Sequence, residues 1–182
     1  MRMKKLTWTL LGLCLLALPS QAQSTPDADV SVQYSPLYIL KGYTIWMNGV
    51  SGSVGHDVNN WFGVAGDFGA YRGHVPEAFT GETYMAGPRF TYHKFDRLIP
   101  FAQDLFVQGL FGGSHFSQST GGITGGGTQF AFALGGGVDM GLGSAQKFAL
   151  RPQLEYVGIR SAGATTPSVR LSIGIVYRIG QR

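Results

Sequence analysis

Along most of the chain apolar residues recur at every second position, which is the period of a β-strand and not of a helix. The plainest run lies near the end, where Val169, Leu171, Ile173, Ile175, Tyr177 and Ile179 form one face against Arg170, Ser172, Gly174, Val176 and Arg178. Phe130, Phe132, Leu134, Val138 and Met140 alternate with Gln129, Ala131, Ala133, Gly135, Gly137 and Asp139 in the same way. So do Phe62, Val64 and Phe68 with Gly63, Ala65, Asp67 and Gly69, and Tyr84, Ala86, Phe90 and Tyr92 with Met85, Gly87, Arg89 and Thr91. A fifth run sets Phe148, Leu150, Leu154 and Tyr156 against Ala149, Arg151, Gln153 and Glu155. Less regular alternation covers 30–37, 45–56 and 101–111, so the pattern predicts eight strands in one all-β domain.

The two faces differ in kind. One is bulky and apolar; the other is mostly Gly, Ala, Ser and Thr with a few charges of both signs. A soluble sandwich turns bulky residues to the core and dots its outer face with many lysines and glutamates, which this chain does not do. Small residues suit a crowded interior, and an eight-stranded antiparallel up-and-down barrel has just enough interior for side chains to fill. With lipid on the apolar face, Asp67, Arg89, Asp139, Arg151, Glu155, Arg170 and Arg178 meet inside as a polar network. Asp67 and Arg89, on neighbouring strands, are expected as its central pair. Connection lengths agree with a membrane barrel: 57–60, 94–99 and 141–147 are compact, whereas 72–82, 112–128 and 160–168 are longer and rich in Gly, Ser and Thr. Trp61, Tyr92, Phe101, Phe148 and Tyr177 fall near the short turns and Tyr84, Phe111 and Phe130 near the long loops, as two interfacial belts would.

Composition and charge remove other classes. Arg2, Lys4 and Lys5 precede an apolar run over 10–18, and Ser20 and Ala22 supply the small residues that a signal peptidase reads, so 1–22 is expected to be a cleaved signal peptide and 23–182 a single barrel domain. The apolar run is too short for a transmembrane helix, which needs about 20 residues. Without those three cations the chain has 11 basic residues against 10 acidic, so no basic surface remains for nucleic acid. The single cysteine, Cys14, leaves with the signal peptide, which excludes a disulfide framework, and the scattered histidines show no metal spacing. No cofactor or metal is expected.

The segments NNWFGVAGDFGAYRG from Asn59, YMAGPRFTYHKFDRLIPFAQDLF from Tyr84, FAFALGGGVDMGL from Phe130, FALRPQLEYVG from Phe148 and VRLSIGIVYRIG from Val169 resemble the small outer-membrane β-barrel proteins of the OmpA/OmpX-like superfold. Within it they are most similar to a bacterial group known only as an outer membrane β-barrel domain. The resemblance implies an eight-stranded barrel in the cell outer membrane and no particular activity. It also implies outer-membrane lipid or lipopolysaccharide and the barrel-assembly machinery as partners, and a monomer. The chain departs from such barrels in running past Tyr177 and Ile179 to Arg182 where an aromatic end is usual, and in placing Pro88 and Pro152 within strands, where bulges or missing ladder bonds are expected.

The functional expectation is a structural or surface-interaction barrel with a closed lumen, acting through loops 72–82, 112–128 and 160–168, with Phe79 and Phe116 as loop anchors for a partner. The alternatives are a narrow pore and a soluble periplasmic lipocalin-like barrel holding an apolar ligand. A further alternative is a membrane hydrolase: the spacing of His115 and Ser117 is similar to that of a lipid A deacylase that is itself a barrel. A His–Ser pair needs an acid to orient the ring, and 105–138 contains none, so no enzyme activity is expected. The glycine runs at 120–128 and 134–143 lack the lysine and the strand-to-helix setting of a phosphate loop.

Overall fold

Nine strand segments close into an antiparallel barrel of eight staves. In the computed structural model the described residues are 28–41, 43–74, 78–93, 102–120, 123–143, 147–161 and 163–180. The signal-like segment 1–22 therefore lies outside them. The strands are β1 (Ala28–Tyr34), β2 (Leu37–Lys41), β3 (Tyr43–Asp57), β4 (Phe62–His74), β5 (Ala78–His93), β6 (Ala102–Thr120), β7 (Ile123–Leu142), β8 (Phe148–Ser161) and β9 (Ala164–Ile179). From β3 to β9 each strand pairs with the next in sequence, and β1 and β2 both pair with β3 and β9, which closes the cylinder.

β1 and β2 are one stave broken at Ser35 and Pro36. Proline has no N–H to give the ladder, but its carbonyl still accepts from Leu171 N at 3.2 Å, and Ser35 N donates to Gly49 O at 2.8 Å, so the seam stays closed across the break. Pro88 and Pro152, the prolines expected to disturb their strands, act alike. β5 and β6 pair at Ala86↔Phe111 and again at Arg89↔Gln108, skipping Gly87 and Pro88 with no change of register. Likewise β7 and β8 pair at Gly137↔Gln153 and next at Met140↔Leu150, skipping the positions at Pro152. Both prolines thus cost ladder bonds without producing a bulge. The register shift in the β6–β7 pair falls elsewhere, at Gln103, between Ala102 and Asp104.

Side-chain direction follows the sequence period. Val32 is 70% exposed and Leu134 65%, whereas Arg151 and Arg170 are 2% and 1% exposed, so the barrel is apolar outside and charged inside. That inversion suits a wall facing hydrocarbon, where an inward charge meets partners and an outward one meets none. Trp61, stacked on Phe90 with ring centroids 5.9 Å apart, and Phe148 against Tyr177 at 5.2 Å, cluster at the end that also holds the start of β1 and the end of β9.

The stretches expected as loops are mostly strand. β4 runs on to His74 and β5 begins at Ala78; β6 reaches Thr120 and β7 begins at Ile123; β8 reaches Ser161 and β9 begins at Ala164. The outer end is therefore a set of tight hairpins rising above the apolar belt. Gly, Ser and Thr carry no apolar signal, so their alternation is silent in sequence. Their backbone groups still need partners, and the antiparallel strand arriving alongside supplies them.

Candidate functional site

The interior is built from inward positions of every stave, and its charges form one connected network. At the end bearing the aromatic pairs, Arg178 Nη2 lies 2.8 Å from Asp104 Oδ2, and Arg178 Nη1 donates to Gln103 Oε1 at 2.7 Å. His93 Nδ1 lies 2.8 Å from Asp104 Oδ1. The bulge at Gln103 lets adjacent residues of β6 serve the same arginine. Next, Arg151 grips Asp139 with two parallel bonds, Nε to Oδ1 at 2.6 Å and Nη2 to Oδ2 at 2.7 Å, and donates from Nη1 to Asp29 Oδ1 at 2.9 Å. Asp29 Oδ2 accepts from Arg89 Nη1 at 2.8 Å, so one carboxylate bridges two arginines. Both guanidinium groups also lie near the ring of Phe106, 4.8 and 4.7 Å from its centroid.

Gln108 carries the network onward. It accepts from Arg89 Nε at 3.0 Å and donates to Glu155 Oε1 at 2.9 Å. Arg170 then donates from Nε to Glu155 Oε2 and from Nη1 to Asp67 Oδ1, both at 2.7 Å, and from Nη1 to Tyr71 Oη at 2.9 Å. Gly49 and Gly69 hold the space into which the Tyr71 ring folds; a Cβ on either would collide with it. Asp67 and Arg89 accordingly do not form the expected central pair: Asp67 goes to Arg170 and Arg89 to Asp29. The residues singled out from sequence, Asp67, Arg89, Asp139, Arg151, Glu155 and Arg170, are all buried on the inner face, and Arg178 is partly buried at its end.

Sequence reasoning missed Asp29, Asp104, Gln108 and Tyr71. Asp29 is in phase with the inward Ser31 and Gln33, one residue before the stretch recognised as a strand. Asp104 and Gln108 share their face with Phe106 and Leu110, so their side of β6 looks apolar and the inward signal is masked.

Beyond Tyr71 the lumen turns apolar. Leu37, Met47, Met85, Leu110, Val157 and Ile159 form a buried cluster, and Phe79 and Phe116 pack against it, partly buried. The rings of Phe79 and Phe116 lie over Gly73 and Gly81. They are not the loop anchors expected from sequence, because each occupies an inward position of a strand that continues past the belt. They cover the outer end of the core.

His115 and Ser117 are brought together. Ser117 Oγ lies 3.1 Å from His115 Nε2, and the other ring nitrogen is met by Thr128 Oγ1 at 3.2 Å. The acid that register places nearest is Glu82, the exposed cross-strand partner of His115 on β5. The orienting contact is thus a neutral hydroxyl where a triad has a carboxylate. Among the described residues no group of His, Cys, Asp and Glu is arranged to hold a metal ion.

Comparison with known proteins fits this architecture. The structure of Neisserial surface protein A superposes with a TM-score of 0.65 at 13% identity, covering 84% of this chain and 96% of that one. Ail, the attachment invasion locus protein of Yersinia pestis, gives 0.58 at 20% identity over 85% and 99%. OprG of Pseudomonas aeruginosa gives 0.53 at 9% identity over 88% and 99%. At such identities the likeness is one of fold. No curated protein sequence matches the chain. The model of the outer membrane protein beta-barrel domain matches residues 8–178, nearly the whole length. An inside-out barrel with a charged core and that match lead to one conclusion: the chain belongs to the outer membrane protein beta-barrel domain family, which implies the outer membrane as its location.

Proposed function

We propose that this barrel is a sealed outer-membrane scaffold that acts through what its outer hairpins present, and is neither a pore nor an enzyme. The observation that carries the reading is the filled lumen: ion pairs from Asp104 to Arg89 and from Glu155 to Asp67, joined by the hydrogen bonds of Gln108, followed by the apolar cluster under Phe79 and Phe116. A solute crossing it would have to part buried charge pairs, each held at a cost of several kcal/mol. The rigid wall then serves to fix the hairpins above the membrane, where neighbouring lipopolysaccharide and external molecules are met. Among fold relatives, Ail is named for attachment and invasion, and one of its structures holds the heparin analogue sucrose octasulfate. The barrel is further proposed to be exported by cleavage after Ala22 and inserted as a monomer by the barrel-assembly machinery. The test is conductance of the refolded protein in planar bilayers. The scaffold reading expects no stable open level; long-lived, multi-ion currents from the intact chain would overturn it.

A further inference from the structure

We infer that the middle of the lumen binds one monovalent metal cation, of the sodium or potassium class, on Asp67 and the side-chain oxygens of Gln33 and Ser172. The inference goes beyond the scaffold reading and shares with it only the closed lumen. Among the described residues, the salt bridges of the interior join five carboxylates, Asp29, Asp67, Asp104, Asp139 and Glu155, to four guanidinium groups, Arg89, Arg151, Arg170 and Arg178. The surplus is local. Arg89, Arg151 and Arg178 meet Asp29, Asp139 and Asp104 three to three at the inner end, where the partly exposed Asp57 and His93 also lie. Arg170 alone faces two acids. It reaches Glu155 Oε2 from both Nε and Nη2 but Asp67 only from Nη1 to Oδ1, and Asp67 Oδ2 is given no bond. A buried charge without a partner is strongly unfavourable, so the site must take up a compensating one.

A second observation points to the same stretch of lumen. Ser31 and Asp67 are the cross-strand partners of Ser53 on its two sides, so the three side chains share one face of the wall, and the hydroxyls of Ser31 and Ser53 lie 2.7 Å apart. Gln33 folds across Gly174, where a Cβ would meet its Cγ at 2.6 Å, and its Nε2 donates to Ser31 Oγ at 3.0 Å and to Gln153 Oε1 at 3.4 Å. Ser172 is the cross-strand partner of Gln153. The Gln33 amide thus spans from the row that ends at Asp67 to the row that holds Ser172. Gln33 is 2% exposed and Ser172 7%, yet Gln33 Oε1 and Ser172 Oγ have no hydrogen-bond partner. Two orphaned oxygens in the same layer as a half-paired carboxylate are a ligand set for a cation.

The chemistry selects the ion. All the donors are oxygens, which suit a hard metal ion and not a soft one. The surplus is one charge, so a monovalent ion closes the balance whereas a divalent one would reverse it. A proton on Asp67 would cancel the charge but could serve only one of the two orphaned oxygens, and a metal ion engages several at once. Ligands drawn from β1, β4 and β9 also tie the short first stave to its surroundings, which makes the ion part of what holds the barrel closed.

The probe is Na+ itself, with K+ as the second ion and choline as a cation too large to enter. The full barrel is refolded in zwitterionic phospholipid vesicles and unfolded in urea at constant ionic strength while Na+ replaces choline from about 5 mM to about 500 mM; the folding equilibrium constant should rise about tenfold or more, as linkage requires when only the folded state binds the ion. Brief desalting into choline should leave one Na+ per chain, trapped by the closed lumen and counted by elemental analysis. Asp67→Asn, which removes the surplus charge, should abolish both effects, Gln33→Leu should demand about tenfold more Na+ for the same stabilisation, and Arg160→Ala should change neither. Stability independent of both ions, a chain that carries no ion, a dependence that survives Asp67→Asn, or equal stabilisation by Mg2+ would each overturn the inference. So would an infrared band of a protonated carboxylic acid in the native chain that vanishes in Asp67→Asn. Should that variant fail to fold, the Na+ titration and the ion content of the native chain still decide. Planar-bilayer currents test the closed lumen separately, since a conducting barrel could still show the stabilising ion and a closed one could lack it.

Discussion

Replacing Arg170 by methionine removes the one side chain that ties Asp67, Glu155 and Tyr71 together. Arg170 is 1% exposed, and its two carboxylate partners have side-chain exposures of 2% and 0%. Water therefore cannot replace the lost cation, and Gln108, the other donor to Glu155, brings no charge. Removing one member of a buried ion pair costs about 3–5 kcal/mol, mostly because the opposite charge is left uncompensated. That is between about two and four powers of ten in the folding equilibrium constant. Arg170→Met combined with Asp67→Asn and Glu155→Gln removes the stranded charges and should recover more than half of the loss. Arg160→Ala, on the exposed outer surface, should stay within about 0.5 kcal/mol. The assay is reversible urea unfolding in phospholipid vesicles, followed by tryptophan fluorescence and by heat-modified migration in gels. A loss below about 1 kcal/mol for Arg170→Met, or no recovery in the triple variant, would refute the claim that buried charge pairing holds this wall together.

Arg89→Ala should cost less, about 1.5–3 kcal/mol in the same assay, because Asp29 keeps its bond to Arg151. Gly49→Val should displace the Tyr71 ring and weaken the barrel by about 1–3 kcal/mol, the usual range for overpacking, and a neutral result would put Tyr71 elsewhere. The double change Phe79→Ala and Phe116→Ala should raise small-ion leakage through reconstituted vesicles while leaving the β6–β7 ladder formed; unchanged leakage would show that the charged network seals the lumen by itself. His115→Ala should leave the acylation pattern of lipid A unchanged in cells expressing the barrel, and a modification present with the native chain and lost in this variant would install a hydrolase.

The barrel was legible wherever bulk alternates with smallness. Along β4, β5, β7, β8 and β9 bulky outward residues such as Phe68, Phe90, Leu134 and Leu171 alternate with inward ones that are mostly small, polar or charged, and lipid outside leaves only one assignment of faces. Which charges pair was not legible, because pairing depends on stagger around the closed sheet: Asp67 lies on a strand next to that of Arg89, yet its bond reaches across the lumen to Arg170. The extent of the hairpins was hidden for a different reason. Ser117, Gly126 and Thr128 give no hydropathy signal, and only the demand of their backbones for partners makes them strand. Phe79 and Phe116 looked like exposed anchors for the same reason, since an unrecognised strand conceals which side its residues face.

Thiol reactivity along β7 tests the inside-out, sealed barrel most directly, and a chain whose only cysteine is Cys14, ahead of the barrel, makes it simple. Single cysteines replace Phe130, Phe132 and Leu134 on the outward face and Ala131, Ala133 and Asp139 on the inward face. In reconstituted vesicles the outward set should react with a lipid-soluble maleimide and not with a charged, water-soluble thiosulfonate. The inward set, closed off by packing at Ala131 and Ala133 and by Arg151 at Asp139, should react with neither until the barrel is unfolded. Rapid reaction of the inward cysteines with the charged reagent would reveal a water-filled pore, and the same reaction at the outward cysteines would place that face in water instead of lipid.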